Sequence, residues 1–320
     1  MLSVFYPLRK KMGKYIFYRI IQVLPVVAGV LIISFVLMVV LPGDPVLSMI
    51  GERYDENTVE LMRKKLNMDK PLMVRMGIFM GDVVKGDLGN SFVTGRPVTK
   101  EILERFPNTF ILAVGAMVVA VFIGVVFGML TSLFPGSWFD KTIMVLALTG
   151  VSAPVFWTGL VFILLFGVYL GWLPPTGYGG IEYLILPAFT LGLRSAAQIT
   201  RLTRSTMLDT LGQDYIRTAQ SKELPWWKIL IKHALPNSLI PVLTVIGTDF
   251  GSYLSGAVLT ESIFGWPGVG RLALEAIMKR DFPVVQGTVL FMALAFICIN
   301  LIIDILYGII DPRLRAERYH

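Results

Sequence analysis

The feature that most constrains this chain is a series of apolar runs, each long enough for a helix to cross a bilayer, which takes about 20 residues. Six such runs occur: Ile20–Leu41, Phe110–Leu133, Thr142–Gly171, Leu184–Leu202, Leu239–Leu259 and Val284–Ile310. Hydrocarbon offers no hydrogen bonds, so only elements that satisfy their own backbone persist there, and runs of this kind predict helices. Composition supports the same reading. Apolar residues make up 55% of the 320 and charged residues 16%, against roughly 25% charged in ordinary globular domains. A soluble fold of this size lacks the interior volume to hide that much apolar surface. The expected fold class is an all-α polytopic membrane protein with six transmembrane helices.

Details of the runs refine the topology. The first follows Arg9, Lys10, Lys11, Lys14 and Arg19. It exceeds the 7–15 residues or so of a signal-peptide core and is followed by no small-residue cleavage site, so it reads as a retained helix stopped at Leu41-Pro42-Gly43-Asp44-Pro45. Pro154 is expected to break the third run, because proline removes a helical hydrogen bond and clashes with the preceding turn. Lys and Arg concentrate on one side of the membrane, with 15 basic against 6 acidic residues in the short segments assigned inside. By the positive-inside rule both termini are cytoplasmic. The chain then divides into residues 1–43 (amino terminus and first span), 44–108 (extracytoplasmic insert), 109–311 (a five-helix core carrying a cytoplasmic loop, 203–238) and 312–320 (cytoplasmic tail). Within the insert, Glu56–Leu66 and Met73–Val84 read as helical and Lys85–Ser91 as a turn tract.

Chemistry of its own is not expected. Cys298 stands alone, and His233 and His320 are the only histidines, so no Cys- or His-based metal site is available. No Gly-Lys-Ser/Thr phosphate loop occurs. Gly150-Val151-Ser152-Ala153 offers a serine but no membrane histidine to act as its base. The chain reads as a non-catalytic membrane subunit binding no cofactor. Any ATP and Mg would be held by partner subunits.

Three charges lie within the runs: Arg194, Asp249 and Asp304. An unpaired charge there costs about 2.5–3.5 kcal/mol on an insertion scale. Asp304 reads as structural. Arg194 and Asp249 are candidates for a polar path between neighbouring helices, either as a mutual ion pair, the favoured reading, or with one of them meeting a charged group of whatever passes. The pairs Gly124/Gly128 and Gly247/Gly251 have the small-xxx-small spacing of packed helices.

The cytoplasmic loop is the most informative stretch. Asp214 is placed to cap a short helix from Tyr215 to about Glu223, and Pro225 restarts the chain before Trp226 and Trp227, which suit the headgroup level. The run Asp214-Tyr215-x-Arg217-Thr218-Ala219…Lys222-Glu223-Leu224…His233-Ala234-Leu235-x-Asn237 resembles the coupling loop of binding-protein-dependent ABC importer permeases, in their dipeptide/oligopeptide/nickel branch. Further pieces of that pattern follow in order: Leu41–Pro45, Gly86-Asp87-Leu88-Gly89-x-Ser91, Arg204-Ser205, Leu259-Thr260-Glu261 through Arg271, Arg280–Gln286 and Asp311-Pro312-Arg313. One departure stands out. Glu223 occupies a position that is Gly in the family, where Gly points to positive φ or a close backbone approach.

The resemblance implies a type I ABC importer permease in a bacterial or archaeal cytoplasmic membrane. Residues 214–237 would dock on one of two cytoplasmic ATP-hydrolysing subunits, and a second homologous permease chain would complete the pore. An extracytoplasmic binding protein would deliver substrate, with Trp266, Pro267, Gly268, Gly270 and Arg271 as outer-gate candidates. Di- or oligopeptides are the first expectation, and nickel, glutathione or oligosaccharides are rivals within the branch. A secondary transporter or channel is the competing class, although no fixed-period repeat supports the former. Nucleic acid is not an expected partner.

Overall fold

The computed structural model describes residues 5–40, 56–65 and 67–310. The expected stop at Leu41–Pro45, the Asp311-Pro312-Arg313 piece and the tail lie outside the described residues. Helices account for the regular structure among the described residues, apart from one bridge between Asn90 and Pro97. In chain order they are α1 (Phe5–Val40), α2 (Glu56–Lys65), α3 (Leu72–Val84), α4 (Val98–Leu133), α5 (Trp138–Ser152), α6 (Val155–Phe162, continuing as a π-helix over Ile163–Tyr169) and α7 (Glu182–Leu211). There follow α8 (Asp214–Ser221), α9 (Trp226–Ile229), a π-helical segment Leu230–Ala234, α10 (Leu235–Leu254), α11 (Val258–Phe264), α12 (Val269–Lys279) and α13 (Phe282–Ile310).

Four helices among the described residues are long and apolar enough to span: α1, α4, the continuous helix Trp226–Leu254, and α13. The pair α5–α6 adds a fifth if counted as one broken span, for it bends by 108°. The break falls at Ala153-Pro154, as the sequence predicts. A residue before proline is driven out of the helical region, and Ala153 is extended at φ −71°, ψ 131°. The expected fourth run corresponds to α7, which carries Arg194, Arg201 and Arg204 and is not among these apolar helices. The expected fifth run stops short, at Leu254 rather than Leu259, where Gly256 turns the chain at φ 100°. Helix α4 begins at Val98 and runs on without a break through the second run to Leu133.

Two compact units divide the described chain. The first comprises residues up to Pro107 and from Gly268 onward. In it α1 packs along α13, and Arg19 Nη1 sits 2.7 Å from Asp304 Oδ2, so Asp304 has the structural role expected of it. Val98 and Ile102 of α4 bury against Val269, Leu272 and Ala276 of α12 and Val284 of α13. Two of the recurrent sequence pieces meet here. The Ser91 hydroxyl donates to Asp281 Oδ2 at 2.5 Å and the Phe92 N–H to Oδ1 at 3.0 Å.

In the second unit, Asn108–Pro267, α7 is the central helix, packed by α5, α6, α10 and α11. Helix α4 approaches it through glycine. A Cβ on Gly124 would fall 2.5 Å from Ile199 Cγ2, and one on Gly128 2.5 Å from Thr203 Cβ and 2.7 Å from the Thr200 carbonyl oxygen. The Gly124/Gly128 spacing is thus a packing seam. Gly247 and Gly251 are buried on α10.

Candidate functional site

Between α7 and α10 the chain forms an elbow. Helix α8 is short, and by itself eight residues would not hold together in water. Its stability comes from one face. Ile216 and Ala219, three apart and therefore neighbours on the helix, are buried with Met207, Ile229, Leu230 and Ala234, and Leu224 and Leu235 pack around them. The opposite face is exposed: Tyr215, Arg217, Thr218, Gln220, Ser221 and Lys222. Asp214 is the first helical residue rather than the cap. Gln213 holds the cap position without a side-chain hydrogen bond, and Asp214 acts only as an acid in the first turn, where the helix dipole favours it. The helix ends at Ser221, two residues before the expected Glu223.

Glu223 explains that ending. It adopts φ 55°, and its N–H donates to the Gln220 carbonyl at 2.9 Å, so it serves as a left-handed residue terminating the helix. The conformation that Gly would take without strain is retained by a side-chain-bearing residue, at about 1–2 kcal/mol. Glu223→Gly is therefore expected to stabilise the chain by about 1 kcal/mol, a rise of roughly 2 °C in its thermal midpoint. A fall in the midpoint would mean that the carboxylate makes a contact worth more than the relieved strain.

Pro225 then opens α9 with Trp226 and Trp227 exposed. The π-helical turn 230–234 ends just before Pro236. That ring removes a donor and crowds the carbonyl four residues back, which accounts for the widened turn. His233 is partly buried within it, Ala234 is fully buried, and Asn237 is exposed with its Nδ2 donating to the His233 carbonyl at 2.8 Å. Of the expected coupling residues, then, Ala219, Leu224, Ala234 and Leu235 build the elbow, while Tyr215, Arg217, Thr218 and Lys222 form its outer surface.

Beside the elbow, Arg204 near the end of α7 grips Asp140 at the start of α5, with Nε and Nη2 at 2.6 and 2.7 Å from the two carboxylate oxygens. Asp140 is buried and also accepts the Gly136 N–H at 2.9 Å.

Higher on the same helices lie Arg194 and Asp249. Helices α7 and α10 pack together as expected, and the Tyr253 hydroxyl bridges them through Ser195 Oγ and the Leu191 carbonyl. The favoured ion pair is not formed. Arg194 is exposed and has no hydrogen-bond or ion-pair partner among the described residues. Asp249 Oδ2 is buried, also without a partner. The packing that locks Tyr253 onto α7 settles the helix rotations, and those rotations leave the two charges apart.

Helix α7 is otherwise buried on most sides. Its exposed positions from the middle onward are Arg194, Gln198, Arg201, Ser205 and Asp209, spaced four, three, four and four and so aligned on one stripe. Helix α10 exposes Thr244, Thr248 and Ser252 four residues apart, with Ile240, Pro241 and Asn237 exposed toward its start. A membrane helix that exposes polar groups does not present them to lipid. These stripes therefore face water or another chain.

The sequence model of the family described as binding-protein-dependent transport system inner membrane component matches residues 124–316, and that of its N-terminal part matches residues 12–113. The chain belongs to this permease family. A Brucella abortus protein provisionally named a peptide transport system permease is 43% identical over 307 residues, covering 93% of this chain and 98% of that one. The glutathione transport system permease protein GsiC of Salmonella choleraesuis is 39% identical over 306 residues, covering 96% and 100% respectively. In fold, the chain is similar to a solved chain of the inward-facing MetNI methionine ABC transporter, with a TM-score of 0.53 at 14% identity over 66% of this chain and 96% of that one.

The protein is thus the permease of a binding-protein-dependent ABC importer, a multi-pass and non-catalytic membrane component that works with ATPase and binding-protein partners. Its expected outer-gate residues divide between the two units. Trp266 is buried, its indole N–H donating to the Asn108 carbonyl at 2.9 Å, and the Pro267 carbonyl accepts from Asn108 Nδ2 at 3.0 Å. Gly268 caps α12 and Gly270 is buried within it, while Arg271 Nε donates to Glu275 Oε1 at 2.8 Å. Sequence reasoning missed the permease's Asp140–Arg204 pair and both polar stripes. The stripes did leave a signal, since Arg194, Gln198, Arg201 and Ser205 recur with helical spacing inside an apolar run.

Proposed function

We propose that this permease imports di- or oligopeptides and forms half of a pore completed by a second, homologous permease chain. Helices α7 and α10 line the route, and the exposed face of α8 docks on a cytoplasmic ATPase subunit. In this reading α7 is the fourth of six spans, both termini are cytoplasmic and the 44–108 region lies on the side of the cytoplasmic membrane where the binding protein docks. The observation that carries the proposal is the pair of polar stripes on two packed helices, which suit a hydrated path and not lipid. The peptide class rests on the names of relatives at 43% and 39% identity, glutathione being itself a tripeptide.

The test is reconstitution with the second permease, the ATPases and the binding protein in proteoliposomes. ATP-dependent accumulation of a radiolabelled dipeptide is expected. Accumulation of nickel or an oligosaccharide without peptide would transfer the permease to a rival substrate. For the docking face, cysteine belongs at Thr218 or Ser221, which are exposed, and not at the buried Ala219. Nucleotide-dependent cross-linking to the ATPase groove is expected there, and no cross-link across a panel of groove cysteines in an active complex would refute it.

A further inference from the structure

We propose that Asp249 and Arg194 together form a recognition site for a zwitterion, Asp249 taking the ammonium and Arg194 the carboxylate of a peptide with free termini. The inference rests on the peptide reading above and goes beyond it to name the residues that hold the two ends. Three observations carry it. The charges have opposite sign and stand on helices packed against each other, with Tyr253 of α10 bonded to Ser195, the residue next to Arg194. They do not satisfy each other, and neither has a hydrogen-bond or ion-pair partner among the described residues. Arg194 opens the exposed polar stripe of α7, while Asp249 adjoins Thr248 on that of α10.

A carboxylate oxygen buried without a partner is expensive, and so is a cation at membrane depth. Opposite charges on packed membrane helices would ordinarily pair. Tyr253 and the tight packing of α7 prevent that, so the two charges are held apart and each needs a counter-ion. A peptide with free termini supplies both in one molecule, the ammonium and the carboxylate of a dipeptide lying no more than about 7 Å apart along the chain. Tyr253, one helical turn from Asp249 and bonded to Ser195 beside Arg194, holds the two helices in register. Uncharged sugars would leave both charges unsatisfied, and a bare metal cation would satisfy one.

The experiment measures equilibrium binding of radiolabelled dialanine to the purified permease–ATPase complex without binding protein, so that selectivity of the binding protein does not enter. Wild type is expected to prefer dialanine at least tenfold over its N-acetyl form and at least tenfold over its C-amide, the scale of a charge-assisted hydrogen bond. Asp249→Asn should abolish the first preference and leave the second. Arg194→Gln should do the reverse, and Asp249→Glu should retain the amine preference in part. If wild type imports peptide in proteoliposomes but shows no preference for free termini, the zwitterion site is overturned while the peptide reading stands. If it imports no peptide, that reading fails first. Either single variant failing to co-purify with the second permease would assign these charges to the subunit contact and also overturn the site.

Discussion

Gly128→Leu is expected to leave no permease that survives extraction from the membrane as a folded chain. The first atom of the new side chain would lie 2.5 Å from Thr203 Cβ and 2.7 Å from the backbone oxygen of Thr200. A backbone carbonyl inside a helix has nowhere to go without breaking that helix, and α7 is packed on its other sides as well. Overpacking a core usually costs about 1–3 kcal/mol per site. Separating α4 from α7 should exceed that range and approach the whole stability of a typical domain, about 5–15 kcal/mol. Gly124→Leu should behave alike, since Ile199 blocks it. The contrast is Gly81→Ala on α3, where a Cβ meets nothing within 4 Å and helix propensity predicts a gain of up to about 1 kcal/mol. Fluorescence-detected size exclusion with a temperature ramp reads all three. A monodisperse Gly128→Leu protein with an unchanged midpoint would show that α4 and α7 do not meet at this seam.

Asp140→Leu is expected to lower stability by about 3–5 kcal/mol, because it strands the Arg204 guanidinium in a partly buried site. The carboxylate has further work there. Ser137 caps α5 by accepting the Asp140 N–H at 3.1 Å, and Asp140 Oδ2 accepts from the N–H of Gly136, the residue before the cap, so that the two bonds tie down the first turn. The double variant Asp140→Leu/Arg204→Leu should recover a good part of the loss, since no charge is then left unpaired. Arg204→Lys should fall between, because an ammonium cannot reproduce a two-pronged grip on a carboxylate. Thermal midpoints of wild type, Asp140→Leu, Arg204→Leu and the double variant form the cycle, and co-purification of the ATPase reports whether the elbow has shifted. Simple additivity in the double variant would mean that the pair contributes nothing as a pair.

What the sequence by itself determined was local. Runs of apolar residues announced most of the long helices, because burying them in hydrocarbon leaves the backbone one way to satisfy itself. Pro154 marked its break, and the insert helices begin within a residue of the starts expected of them. The family's Gly at the position of Glu223 allows positive φ or a close backbone approach, and the structure shows positive φ there. Tertiary structure decided which distant groups meet. Arg204 finds Asp140 64 positions away, and Ser91 finds Asp281 190 positions away, separations at which no repeat of 3.6 or 2 carries information. It also decided that Arg194 and Asp249 stay apart, against the simplest pairing of opposite charges. Helix rotation about its own axis is set by the side chains packed on every face at once. The glycine seam of α4 and the Tyr253 bridge turn α7 so that its one polar stripe is the face left open.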